Sequence, residues 1–124
     1  MIRELIQTTL DNALHPDVLS YWQRKSGDAA DEYIVYSVSG DPGEFFADDQ
    51  VQARNANVTI HYYYRSEMMD TAHGRLAITA REDAIEAALR GAGILVPFGR
   101  FDAGDVDDVG YFVTVFEAQY WRVV

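Results

Sequence analysis

Cysteine is absent from the 124 residues. No disulfide can staple the fold, and no thiolate can hold zinc or attack a substrate. Positive charge is scarce: 10 Lys and Arg stand against 20 Asp and Glu, a net charge of −10. A nucleic-acid groove depends on basic groups that displace counterions, so this balance argues against one. Two readings of the acidity stay open. One is a solvated surface that keeps the chain dispersed; the other is a surface that must not stick to DNA, or that imitates it. Long apolar runs are missing too, and none approaches the ~18 residues of a membrane span. The opening MIRELIQTTLDNAL is too polar and too periodic for a signal peptide. These features predict a soluble protein of the cytoplasm. Internal repeats and low-complexity tracts are also lacking. So are metal-ligand spacing, a glycine-rich phosphate loop and a nucleophile paired with a base. The expectation is a protein that is not an enzyme and needs no cofactor.

Apolar residues make up 48% of the chain and charged residues 24%. That balance and length suit one domain with one core. Ile2, Leu5, Ile6, Leu10, Ala13 and Leu14 recur at three- and four-residue spacings, the stripe of an amphipathic helix. His15-Pro16 ends it, because the residue before proline is pushed out of the helical region. Residues 16–32 read as a connector anchored by Tyr21-Trp22.

YIVYSVS (33–39) reads as a strand, and GDPGEFFADDQ (40–50) breaks it. VQARNANVTIHYYYRS (51–66) is a second strand. Val58, Ile60, Tyr62 and Tyr64 share its core face, and Thr59, His61, Tyr63 and Arg65 share the other. EMMDTAHGRLAI (67–78) reads as a loop. Thr79 to Glu82 has capping-box spacing and predicts a short helix buried through Ile85, Ala88, Leu89 and Ala92, with Gly91 and Gly93 as its stop. ILVPFGRF (94–101) predicts a third strand, DAGDVDDVG (102–110) its turn, and YFVTVFEAQYWRVV (111–124) the last strand. The expected fold is α+β: one antiparallel four-stranded sheet, in the order α-β-β-α-β-β, with two helices on one face.

The last strand is apolar on both sides. Phe112, Thr114, Phe116, Ala118 and Tyr120 share one face, and Tyr111, Val113, Val115, Glu117, Gln119 and Trp121 the other. A sheet covered on one side only should alternate apolar with polar. Something therefore covers the second face, either a loop of the same chain or a neighbouring subunit.

The residue types that can carry chemistry each have a plainer reading. His61 lies mid-strand with no carboxylate near it in sequence, as a general base would need. His15 suits a helix end, and His73 falls in the presumed loop. Asp102, Asp105, Asp107 and Asp108 lack the spacing of a calcium loop and read as a solvated hairpin tip or a weak cation site. Glu44, Asp48 and Asp49 form a second acidic cluster with no cleft defined around it. Tyr62, Tyr63 and Tyr64 could stack bases, but without a positive groove sheet packing explains them better. Met68 and Met69 suit either a soft contact surface or filler.

The pattern as a whole resembles the tail-completion (tail terminator, head-to-tail joining) proteins of long-tailed bacteriophages. The likeness rests on the N-terminal helix, Tyr33-Ile34-Val35-Tyr36, the Asp48-Asp49 pair and Val58-Thr59-Ile60-His61-Tyr62-Tyr63-Tyr64. It continues through the helix Arg81–Arg90 into Gly93-Ile94 and the aromatic strand Tyr111–Trp121. It runs from about residue 3 to the C-terminus, in residue classes rather than fixed letters. It implies a structural subunit of a hexameric ring at the head-proximal end of a tail tube, in the virion and, during assembly, in the host cytoplasm. Such a ring stops tube growth and joins tail to head. Its partners are copies of itself, the tail tube protein and the head–tail connector protein, with no membrane. DNA passes through without specific binding. Under that resemblance the interface residues are Tyr63, Val113, Val115, Trp121, Met68 and Met69, in strands and in loops 40–50 and 66–75. Glu44, Asp48, Asp49, Asp105, Asp107 and Asp108 would then face the lumen. The acidity also allows a different class, an acidic inhibitor or immunity-type protein that blocks a basic partner.

Overall fold

The computed structural model describes residues 2–23, 30–39, 53–97, 99–105 and 110–123. The elements are α1 (Ile2–Leu14), β1 (Leu19–Trp22), β2 (Glu32–Ser39), β3 (Ala53–Arg65), α2 (Ala72–Gly91), β4 (Arg100–Asp105) and β5 (Tyr111–Val123), with a 3-10 turn at Ser66–Asp70. The fold is α+β, and its sheet has five strands in the order β1-β2-β3-β5-β4. The expected sheet was four-stranded and antiparallel. The fifth strand, β1, comes from the presumed connector and pairs in parallel with β2, Leu19 opposite Tyr33 and Trp22 opposite Tyr36. Its four residues, LSYW, end in two successive aromatics and do not alternate apolar with polar, so this strand leaves no mark in the pattern. The other pairs are antiparallel.

Helix α1 follows its apolar spacing: Ile6, Leu10 and Leu14 are buried, while Ala13 is exposed. The His15-Pro16 peptide is cis. The Gln7 amide oxygen accepts a hydrogen bond from the Tyr36 hydroxyl at 2.7 Å and its amide nitrogen donates to the Ser20 carbonyl at 3.2 Å, tying α1 to β2 and β1.

Helix α2 corrects the sequence reading most. It begins at Ala72 and runs 20 residues. Residues 67–78 are therefore the 3-10 turn and the first two turns of helix, not a loop. Thr71 is the N-cap, its hydroxyl accepting from the Gly74 amide at 2.9 Å. Thr79 is mid-helix and donates back to the Arg75 carbonyl. The buried stripe is Gly74, Ile78, Glu82, Ile85 and Leu89. A glycine and a glutamate occupy two of its five places, which hides the helical period. Gly74 is required because a Cβ there would meet the Met68 carbonyl oxygen at 2.0 Å. At the far end Gly93 turns the chain with φ +80°.

Residues 94–97 form no strand. Ile94 and Val96 plug the core, and Leu95 makes a single bridge to Gln119. The strand β4 instead starts at Arg100 and includes Asp102 to Asp105, which were assigned to the turn. A bulge falls between Asp102 and Gly104.

Both helices pack on the face carrying Ile34, Tyr36, Val58, Ile60, Tyr62, Phe116 and Ala118, and these residues form one core with the helix stripes. Two polar clamps fasten α2 to the sheet. The Tyr62 hydroxyl donates to Glu32, and Arg81 reaches the same carboxylate at 3.3 Å. Thr114 donates to Glu82 at 2.6 Å. Arg100 lies 2.8 Å from Asp83 and within 4 Å of Glu82 and Glu86. Burial, followed by the bond to Glu32, drives the Tyr62 phenol far above its ordinary pKa of 10.0. Among the described residues no helix is long and apolar enough to cross a membrane.

Candidate interaction surface

The opposite face of the sheet carries no described helix. Strand alternation places Leu19, Tyr33, Val35, His61, Tyr63, Arg65, Tyr111, Val113, Val115 and Phe101 on it. Register stacks them in rows. Tyr33, Tyr63 and Val113 form one row, and Val35, His61, Val115 and Phe101 form the next. Tyr33 and Tyr63 stack with centroids 4.8 Å apart, Tyr33 meets Tyr111 edge-on at 5.5 Å, and His61 stacks on Tyr63 at 6.0 Å. Such pairs stabilise a pleated surface by roughly 0.2–1 kcal/mol each.

The valines between these rings are sheltered. Val113 and Val115 are only 7% and 6% exposed, although no described element lies over them. The same enclosure acts on the titratable groups. Burial lowers the His61 pKa below its ordinary 6.5, so the ring is neutral at pH 7. Burial raises Tyr33 and Tyr63, and Tyr33 is raised further by Tyr63 and Tyr111. Among the described residues, three of the six large apolar side chains that stay well exposed, Leu19, Leu95 and Phe101, stand on this face by register.

The ends of the face are polar. At one end Arg65 lies over the Tyr111 ring at 5.0 Å and pairs with Asp31 at 3.2 Å. At the other, Asn57 opposite Gln119 and Thr59 opposite Glu117 line a half-open cleft of about 220 Å3 walled by Pro97. None of these four polar side chains makes a hydrogen bond or ion pair among the described residues.

Of the residues singled out by sequence, Tyr63, Val113 and Val115 meet on this face. Trp121 continues the same row set opposite Asn55 in the backbone register. Met68 packs against the core and Met69 lies on the surface of the 3-10 turn, both away from the face. Asp105 is in β4, and Asp102 is an exposed residue of the same strand. Glu44, Asp48, Asp49, Asp107 and Asp108 lie outside the described residues. His15 and His73 are exposed at opposite ends of the two helices. No three His, Asp or Glu side chains gather as a metal site among the described residues. The cleft was not foreseen. Its signal was present in the pairing of two polar rows, Asn57 with Gln119 and Thr59 with Glu117, which needs the register to be known.

No protein-family model matches the sequence. No curated protein matches it either.

Proposed function

We propose that the chain is a structural subunit of a bacteriophage tail-completion ring, set at the head-proximal end of the tail tube, where it ends tube growth and joins tail to head. The observation that carries this reading is a sheet with two apolar faces and, among the described residues, helices on only one. A protein whose second face holds sheltered valines, stacked tyrosines and three exposed apolar side chains at its rim works by assembling. A ring needs two different patches on each subunit, and the aromatic face supplies one. The net charge of −10 supports a conduit through which DNA slides without sticking. The resemblance in residue classes supplies the rest: the hexameric closure, the tube protein and the head–tail connector. The role is structural, not catalytic.

The same acidity favours a second reading, an inhibitor of a basic partner. It would be monomeric when free and would bind with strong salt dependence. One experiment separates them. A purified tail tube protein of a long-tailed bacteriophage is polymerised with and without this chain and viewed by negative-stain electron microscopy. The ring reading expects tubes of limited length with a ring at one end. Tubes of unchanged length and bare ends would overturn it.

A further inference from the structure

We propose that His61 is a proton switch on the assembly face: subunits join while its ring is neutral and part when the ring is protonated. This rests on the reading of the face as the contact between copies of the chain, and it names what controls that contact.

His61 occupies the middle of the face. Its row runs Val35, His61, Val115 and Phe101 across four strands, so the ring has an apolar neighbour on either side. Along its own strand it stacks on Tyr63 with centroids 6.0 Å apart. It makes no hydrogen bond or ion pair among the described residues. Few described groups could hold an imidazolium there. On β2 the flanking residues of this face are Tyr33 and Ser37. On β4, Phe101 is turned to this face, and Arg100 and Asp102 alternate to the helix side. On β5 the flanking residues are Val113 and Glu117, and Glu117 stands opposite Thr59, one diagonal away from His61. On β3 itself the charged group is Arg65, which has the wrong sign and is paired with Asp31.

Burial already holds the ring below its ordinary pKa of 6.5 in the single subunit. A second subunit laid on this row removes the remaining water, and a buried cation costs far more than a buried neutral ring. Proton binding and subunit binding therefore oppose each other, and the linkage is reciprocal. Overall charge acts in the other direction. The chain carries a net charge of −10, so acid lessens the repulsion between copies and by itself favours association. A loss of association on mild acidification thus has a sign that general charge neutralisation does not produce.

The test is self-association of the full chain at about pH 7.5 and about pH 5.5. Light scattering over a concentration series follows it, alone and with purified tube protein, and circular dichroism checks the fold at each pH. The wild type should associate about three- to tenfold more weakly at the lower pH, because one unit below the ordinary value gives at most a factor of about ten per site. His61→Gln, polar and neutral throughout, should associate equally well or better at the lower pH. His61→Lys should stay monomeric at both. The NMR titration midpoint of the His61 ring proton should move to lower pH as wild-type concentration is raised. A wild type that tightens on acidification, or that weakens in parallel with His61→Gln, overturns the switch. So does a midpoint that stays fixed or rises on assembly. Each of those results leaves the assembly reading standing. A chain that is monomeric at every pH and concentration, and ignores the tubes, removes both.

Discussion

Tyr62 and Tyr63 are neighbours in one strand and meet opposite fates. Tyr62 is fully buried under the helices, and its hydroxyl donates to Glu32, which also receives Arg81. Tyr63 is half-buried, stacks on Tyr33 and His61, and its hydroxyl makes no hydrogen bond among the described residues. The two faces differ in the same way. Under the helices Thr114 is paired with Glu82, and the buried Ser20 hydroxyl is the exception, with no hydrogen-bond partner among the described residues. On the other face His61 sits in the middle rows, and the remaining polar groups stand at the ends, in a cleft of unused acceptors and at the Arg65–Asp31 pair. Both faces are apolar, so hydropathy alone does not tell them apart. What marks the covered face is that its buried tyrosine and carboxylates, Tyr62, Glu32 and Glu82, are paired from within.

The largest expected contrast lies between Phe116 and Val115, adjacent in β5. Phe116→Ala should cost about 3–5 kcal/mol in urea denaturation, because it opens a cavity in a closed core. Val115→Ala should cost under about 2 kcal/mol at low protein concentration. Similar losses would show that the second face is as closed as the first. Gly74→Ala should cost about 1–3 kcal/mol, because the new methyl meets the Met68 carbonyl and the start of α2 must shift from the 3-10 turn. Thr114→Val should cost a comparable 1–3 kcal/mol, roughly, by leaving Glu82 without its donor. Of the two tyrosines, Tyr62→Phe should lose about 1 kcal/mol and Tyr63→Phe nothing measurable. Equal effects of that pair would break the distinction drawn here.

The smallest effect concerns pH. Burial depresses the His61 pKa in the folded chain, so the unfolded chain binds the proton more readily. The stability linked to this group is fully present above its ordinary value of 6.5 and is lost as pH falls from there through the folded value. Melting temperatures of the wild type and His61→Gln should therefore diverge least near neutrality. The wild type should fall faster toward about pH 5. Parallel curves would show that His61 is as solvated as in the unfolded chain.

The contrast between the faces was partly legible in the sequence. Strict alternation in β3 separated Val58, Ile60, Tyr62 and Tyr64 from Thr59, His61, Tyr63 and Arg65, and the structure keeps those two sets apart. The apolar second face of β5 was visible for the same reason. The start of α2 was not, because its buried stripe uses Gly74 and Glu82, residues that hydropathy counts as non-core. Glu82 is tolerated there only because Thr114 and Arg100 arrive from β5 and β4, contacts no local window contains. β1 escaped because LSYW does not alternate apolar with polar, and β4 because Pro97 and the apolar residues before it drew the strand too early. The cleft depends on the β3–β5 register, which is set by the whole ladder rather than by either strand.

The claim that the open face is an assembly surface is tested most directly by molar mass. Light scattering at high protein concentration, with and without the purified tube protein, is run on the wild type and on Tyr63→Ser. The account predicts a wild-type mass of about six subunits, alone or on tubes, as a closed ring requires, and a shift to monomer for Tyr63→Ser with its fold intact. A wild type that stays strictly monomeric and ignores the tubes would contradict it.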